Sequence, residues 1–182
     1  HAYTQPTDFS RIDSLARACP KSAGKTVNTL ATYLNSFSSS EWEKARAIYV
    51  WLTHNIEYDL DGAMNRSIDD VSPAYVLRKR KTVCQGYSDL YSALGRAMGL
   101  NIITVAGYAK TYKFNPPKIL RKPDHAWNLI MIDNKWRVFD ATWGAAYRAR
   151  EKKKNGYRYF MVRSFSSYWF NTNPYEFIHS HM

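Results

Sequence analysis

Apolar residues recur at three- and four-residue steps through Val27, Leu30, Ala31 and Leu34, which predicts a first amphipathic helix. A second is expected from about Glu41 to His54, with Ser40 and Glu43 at its start. Ser72-Pro73 opens a third, short one, because proline suits the first helical position. The fourth carries Tyr87, Leu90, Tyr91, Leu94, Ala97 and Met98 in phase, with Thr82 and Gln85 at capping-box spacing and Gly99 as a C-cap. Beyond Gly99 the period changes. Residues 101–109 read as a strand, and residues 125–132 and 135–140, rich in Trp, Ile, Val and Phe, read as two more around Asp133-Asn134. Helices followed by strands, without internal repeats, make an α+β plan.

The two-residue turn sets a register. Ile132 falls opposite Lys135, hence Trp127 opposite Asp140 and His125 opposite Thr142. His125 and Asp140 then become diagonal neighbours, roughly 7 Å or less apart at Cβ. Their face reads His125, Trp127, Leu129, Met131, Trp136, Val138, Asp140, apolar except at its end, and is expected to be the better-buried one. The other face holds Asn128, Lys135 and Arg137 among apolar residues. An ionisable pair at such a margin is costly unless the two groups satisfy each other. An imidazole held by a carboxylate has its tautomer fixed, as a catalytic base requires; a purely structural His–Asp bond at a sheet end fits the same pattern.

Cys84 falls in the first turn of the fourth helix, in phase with its apolar stripe. A helix N-terminus carries roughly half a positive charge and unpaired N–H groups, so it favours a thiolate and can donate to an oxyanion. Cys84, His125 and Asp140 supply a nucleophile, a base and a group to orient the base. The competing reading of Cys84 is a small buried hydrophobe, the usual fate of a free cysteine.

Five stretches carry a likeness: Ala45-Arg46-Ala47-Ile48-Tyr49-Val50-Trp51-Leu52 with Asn55-Ile56-Glu57-Tyr58-Asp59; Val83-Cys84-Gln85-Gly86-Tyr87; Asp124-His125-Ala126-Trp127-Asn128; and Phe139-Asp140-Ala141-Thr142-Trp143. They resemble, in order, the transglutaminase-like superfamily of papain-like cysteine enzymes. Trp169-Phe170-Asn171-Thr172-Asn173-Pro174 and Phe177-Ile178-His179-Ser180-His181 are similar to the end of its kyphoscoliosis-peptidase branch. The resemblance covers about residues 41–182. It implies a papain-like core in which the cysteine helix packs on an antiparallel sheet, with Cys84 as nucleophile, His125 as base and Asp140 as orienting acid. It also implies an oxyanion donor from an upstream tryptophan, for which Trp51 is the candidate; Trp51 equally suits the core of its helix. The Trp that follows cysteine in the animal crosslinking enzymes is Gln85 here, so their specificity does not carry over.

At 182 residues the chain is long enough for one domain with a substantial core. Residues 1–24 read as a leader, with Gln5, Pro6 and Thr7 as its loose part, and residues 25–182 as the domain. No apolar run approaches the roughly 18 residues of a membrane span. A first residue other than Met fits a removed signal peptide or a trimmed chain, and a secreted or periplasmic address is the expectation. Cys19 and Cys84 are the only cysteines and are expected to be free thiols. No zinc spacing or phosphate cradle is present, Asp59-Leu60-Asp61-Gly62 lacks the rest of a calcium loop, and the implied chemistry needs no cofactor.

The net charge of +11 clusters around the three candidate residues. Arg78 to Lys81 precede Cys84, Lys110, Lys113, Lys118, Arg121 and Lys122 precede His125, and Arg148, Arg150, Lys152, Lys153, Lys154 and Arg158 follow Asp140. Residues 110–124 and 144–156, read as long loops, would form a basic rim, attracting an acidic protein segment or an anionic cell-wall polymer; a set of solvated loops is the bland alternative. Nucleic acid is not expected, because the aromatics sit in core phase rather than among the basic residues. The chain therefore reads as an enzyme of cysteine-dependent acyl transfer on protein or peptide amides, with hydrolysis favoured over amine transfer. A binding module on the same scaffold is the rival from a different class.

Overall fold

In a computed structural model, residues 8–68, 70–110 and 122–182 are described. Helices α1 (Ser10–Arg17), α2 (Val27–Asn35) and α3 (Glu41–Asn55) come first, followed by β1 (Glu57–Tyr58), α4 (Leu60–Asn65), α5 (Pro73–Lys79), β2 (Lys81–Thr82) and α6 (Cys84–Ala97). Strands β3 (Ile102–Gly107), β4 (His125–Ile132) and β5 (Lys135–Phe139) lead to α7 (Ala141–Ala145), β6 (Ala146–Lys153), β7 (Gly156–Arg163), β8 (Phe170–Thr172) and α8 (Pro174–Phe177). The α+β plan holds.

Helix starts follow their capping chemistry. Thr26 and Thr29 form a reciprocal capping box on α2, and Ser40 accepts from the Glu43 N–H at 3.2 Å on α3. Gly99 takes φ +79 just past α6, as its C-cap role requires. Helix α3 is buried along nearly its whole length and forms the centre of the core, with α6 beside it.

Helix α1 corrects the expectation of a leader over residues 1–24. Ile12 and Ala16 belong to the main core, and buried Arg46 on α3 grips Asp13 through two bonds of 2.7 Å. The Phe9 N-cap offers no capping side chain, so the sequence carries no start signal there. Gln5, Pro6 and Thr7 lie outside the described residues.

The sheet is antiparallel in the order β3-β4-β5-β8. Asp133 (φ 53) and Asn134 (φ 57) form the two-residue turn, and Ile132 faces Lys135 as expected. The ladder runs to Asn128↔Phe139 and stops there. Asp140 is instead the N-cap of α7, so the expected pairs Trp127–Asp140 and His125–Thr142 do not form. The faces are also reversed in burial. Ile130, Ile132 and Phe139 join the main core, which includes residues of α6, whereas Trp127 and Val138 form a small separate cluster with Phe177, and Trp136 is 41% exposed.

One segment read as a loop differs as well. Residues 146–153 pair with β7 along the whole hairpin, from Ala146↔Arg163 to Lys153↔Gly156. Their run of Lys and Arg hid a strand whose partner supplies the aromatic and branched residues. Of 110–124, residues 111–121 lie outside the described residues. After α8 the chain returns alongside β3: Tyr108 N–H donates to the Met182 carbonyl at 2.7 Å, and Lys110 N–H to that of Ser180 at 2.7 Å. Among the described residues, no helix is long and apolar enough to cross a membrane.

Candidate active site

Cys84 is the first residue of α6 and is half-buried. The capping box expected of Thr82 and Gln85 is absent. Val83 is the N-cap, Gln85 donates instead to Asp89 at 2.9 Å, and the Thr82 hydroxyl is buried against the next turn. A Cβ on Gly86 would lie 2.1 Å from that hydroxyl, so only glycine fits there. Because no capping side chain occupies the first-turn amides of α6, they stay available for an anion beside the thiol. The short parallel pair β1–β2 lays Tyr58 next to Thr82. Its phenol is pushed up to about 12, by burial first and then by the charge of Cys84.

His125 opens β4 opposite Gly107, between the rings of Trp127 and Trp143 at 6.0 and 5.4 Å. Its Nε2 lies 2.7 Å from Asp140 Oδ2. Asp140 is fully buried, and its Oδ1 accepts from the Trp143 N–H at 2.9 Å as the cap of α7. With Nε2 committed, Nδ1 is the nitrogen left for Cys84, which lies within electrostatic reach of this imidazole. Burial pulls the His125 pKa down, but the Asp140 charge and hydrogen bond, followed by those of Cys84, raise it to about 10. Burial likewise opposes the Asp140 charge, yet His125 and then His181 hold its carboxyl well below the usual range. Asn128 fixes the two halves together, donating to the Ser88 carbonyl and Ser92 hydroxyl of α6, each at 3.0 Å.

His181 is the residue that sequence reasoning left without a role. It is buried, and its Nε2 reaches the same Asp140 Oδ2 at 3.0 Å. A carboxylate only accepts, so this Nε2 carries the proton and Nδ1 accepts from the Ser180 hydroxyl at 2.8 Å. The ring stacks on Phe177 at 3.7 Å, with Trp143 and Trp169 around it. Burial, above all, lowers its pKa. The ligating atoms of His125, Asp140 and His181 lie within 4.8 Å of one another, a set that could hold a metal ion, although here the three are closed by their own hydrogen bonds. The only sequence signal was the likeness of residues 177–181 to a family ending, which gave the segment without a role.

Trp51 is buried, its ring under the Arg80 guanidinium at 4.8 Å and within electrostatic reach of the Cys19 thiol, so the structure places it in the packing between α3 and Arg80. His54 bonds the Val50 carbonyl of its own helix at 2.8 Å. Both cysteines are free.

Residues 28–141 match the family model described as the Transglutaminase-like superfamily. The chain belongs to this superfamily. Transglutaminase-like relatives include mouse and human kyphoscoliosis peptidase, 30% and 29% identical over 95% of this chain, and Drosophila melanogaster hillarin, 27% identical over 97%. The chain spans about a quarter of the length of these curated relatives, 25%, 25% and 22% respectively. A crystal structure from Cytophaga hutchinsonii, provisionally described as a cysteine protease, is 27% identical with a TM-score of 0.50, covering 76% of this chain and 43% of that one. The papain-like, transglutaminase-like fold expected from the motifs is therefore the fold of this chain, and the branch expected is represented among its relatives.

Proposed function

We propose that this transglutaminase-like domain catalyses acyl transfer on amide bonds of protein or peptide substrates through a thioester on Cys84, with water as the usual acceptor. The observation that carries the reading is the 2.7 Å bond from His125 to fully buried Asp140, with Cys84 at the start of α6 within electrostatic reach of the same imidazole. Cys84 thiolate adds to the amide carbonyl, and the oxyanion is met by the Cys84 N–H at the start of α6, with the neutral Tyr58 phenol alongside. His125, as imidazolium, gives its proton to the leaving amine as the C–N bond breaks. Water then loses a proton to His125, attacks the thioester, and releases a carboxylic acid and the Cys84 thiolate, which restores the thiolate–imidazolium pair. The peptidase name of the mouse and human relatives favours water over an amine as acceptor.

Iodoacetamide labelling across pH, read by mass spectrometry, tests this. Wild-type Cys84 should be labelled quickly at about pH 6, and His125→Ala should lose that advantage. Cys19, whose pKa burial raises, is the internal control. A Cys84 that labels as slowly as Cys19 in both proteins would leave a binding module as the better reading.

A further inference from the structure

The hairpin β6–β7 stands on the body of the protein and pairs chiefly with itself, and its two faces differ. Register places Arg148 opposite Met161, Arg150 opposite Tyr159 and Lys152 opposite Tyr157 on one face. No acidic residue interrupts that face. Arg148 lies over the Tyr159 ring at 5.2 Å and Arg150 over Tyr157 at 4.6 Å, which holds the guanidinium groups in a row. The opposite face carries an internal Glu151–Lys153 ion pair at 2.8 Å beside exposed Tyr147 and Phe160. A cavity of about 230 Å³ lined by Arg148, Ala149, Arg150 and Tyr159 opens along the basic row.

The row starts directly after α7, the short helix that Asp140 caps. Arg148 and Cys84 both lie within electrostatic reach of the Tyr58 phenol. At the base of the hairpin, Arg163 bonds the His54 carbonyl and pairs with Glu57 at 3.8 Å, which anchors the arm beside β1. Cations on alternate residues of a strand repeat at about 6.6 Å, the spacing of alternate side chains in an extended peptide. Among the described residues the hairpin is a two-stranded sheet, so its strand edges offer backbone hydrogen bonds to such a peptide.

We propose that the Arg148–Arg150–Lys152 face docks an extended acidic segment of the protein substrate and feeds the adjoining amide to Cys84; this rests on the acyl-transfer reading above. An acidic peptide is favoured over nucleic acid because the tyrosines are engaged by guanidinium groups rather than open to stack on bases.

Fluorescence anisotropy of a labelled Glu/Ser peptide as long as β6, at about 0.15 M salt, tests the docking. Wild type should bind it saturably and ignore the same peptide with Gln for Glu. Arg150→Glu and Lys152→Glu should each weaken binding about tenfold, while Arg158→Glu, the same charge change on the opposite face, leaves it within about twofold. Equal losses from all three variants would reduce the effect to net charge and overturn the proposal. So would absence of saturable binding, or tighter binding of oligothymidylate governed by the same residues. Cys84 alkylation in Arg150→Glu should match wild type, which separates failure of docking from failure of the chemistry.

Discussion

Asp140 Oδ2 receives two imidazole donors, from His125 at 2.7 Å and His181 at 3.0 Å. Neutral His181 shares the carboxylate's electron density, so Asp140 holds the His125 proton less tightly than it would alone, which would ease the proton transfer in the proposed acyl transfer. His181→Phe keeps the stack on Phe177 but removes the donor. Alkylation by iodoacetate, whose carboxylate the imidazolium attracts, should then show an alkaline limb shifted upward, with the rate at that edge raised roughly threefold. His181→Gln replaces the donor and should restore the wild-type profile. Matching profiles in all three proteins would make His181 merely structural. The pairing of His125 with Asp140 was legible from the turn and the alternation, but its geometry was not: Asp140 left the ladder to cap α7. That departure is what let one carboxylate cap a helix and hold two rings.

Among the elements, those with strong local signals were legible and those stabilised by partners were not. Helices α2, α3, α5 and α6 carry apolar periodicity or caps, and the β4–β5 hairpin carries its own turn. Helix α1 has neither cap nor long stripe, and docks through Ile12, Ala16 and the Asp13–Arg46 pair. Arg46 also donates to the Ser167 hydroxyl at 2.9 Å, tying the first helix to the turn before β8. Asp13→Ala leaves a buried guanidinium without its carboxylate and should cost about 3 kcal/mol, read as a lower midpoint in urea denaturation. A loss near zero would mean that α1 is only laid against the core. Strand β6 was missed for a related reason: its Lys and Arg residues have low strand preference alone and are held by the tyrosines across the hairpin.

At the scale of the whole molecule, the site makes stability depend on pH. The folded pKa of Asp140 is depressed, so its contribution is complete above the unfolded value of about 3.9 and is lost as pH falls. That of His125 is raised to about 10, so its contribution is complete below the unfolded value of about 6.5 and declines as pH climbs towards 10. His181, lowered, adds a smaller loss on the acid side of about 6.5. Urea midpoints should therefore decline between about pH 6.5 and 10, and Asp140→Asn should flatten that decline. An alkaline slope unchanged by the substitution would detach His125 from Asp140. The chain alone determined the helix order, the hairpin turn, the membership of a cysteine-enzyme superfamily and three residues with the right chemistry in the right order, because each is written in local periodicity, turn chemistry or contiguous motifs. Only the tertiary structure decided that His181 returns to Asp140, that Trp51 packs under Arg80, that Trp127 on the face of β4 carrying His125 is covered by Phe177 and His181, and that the basic residues after α7 form a hairpin. Those outcomes depend on which distant segments pack together, and a contact between residues 41 positions apart leaves no period in the sequence.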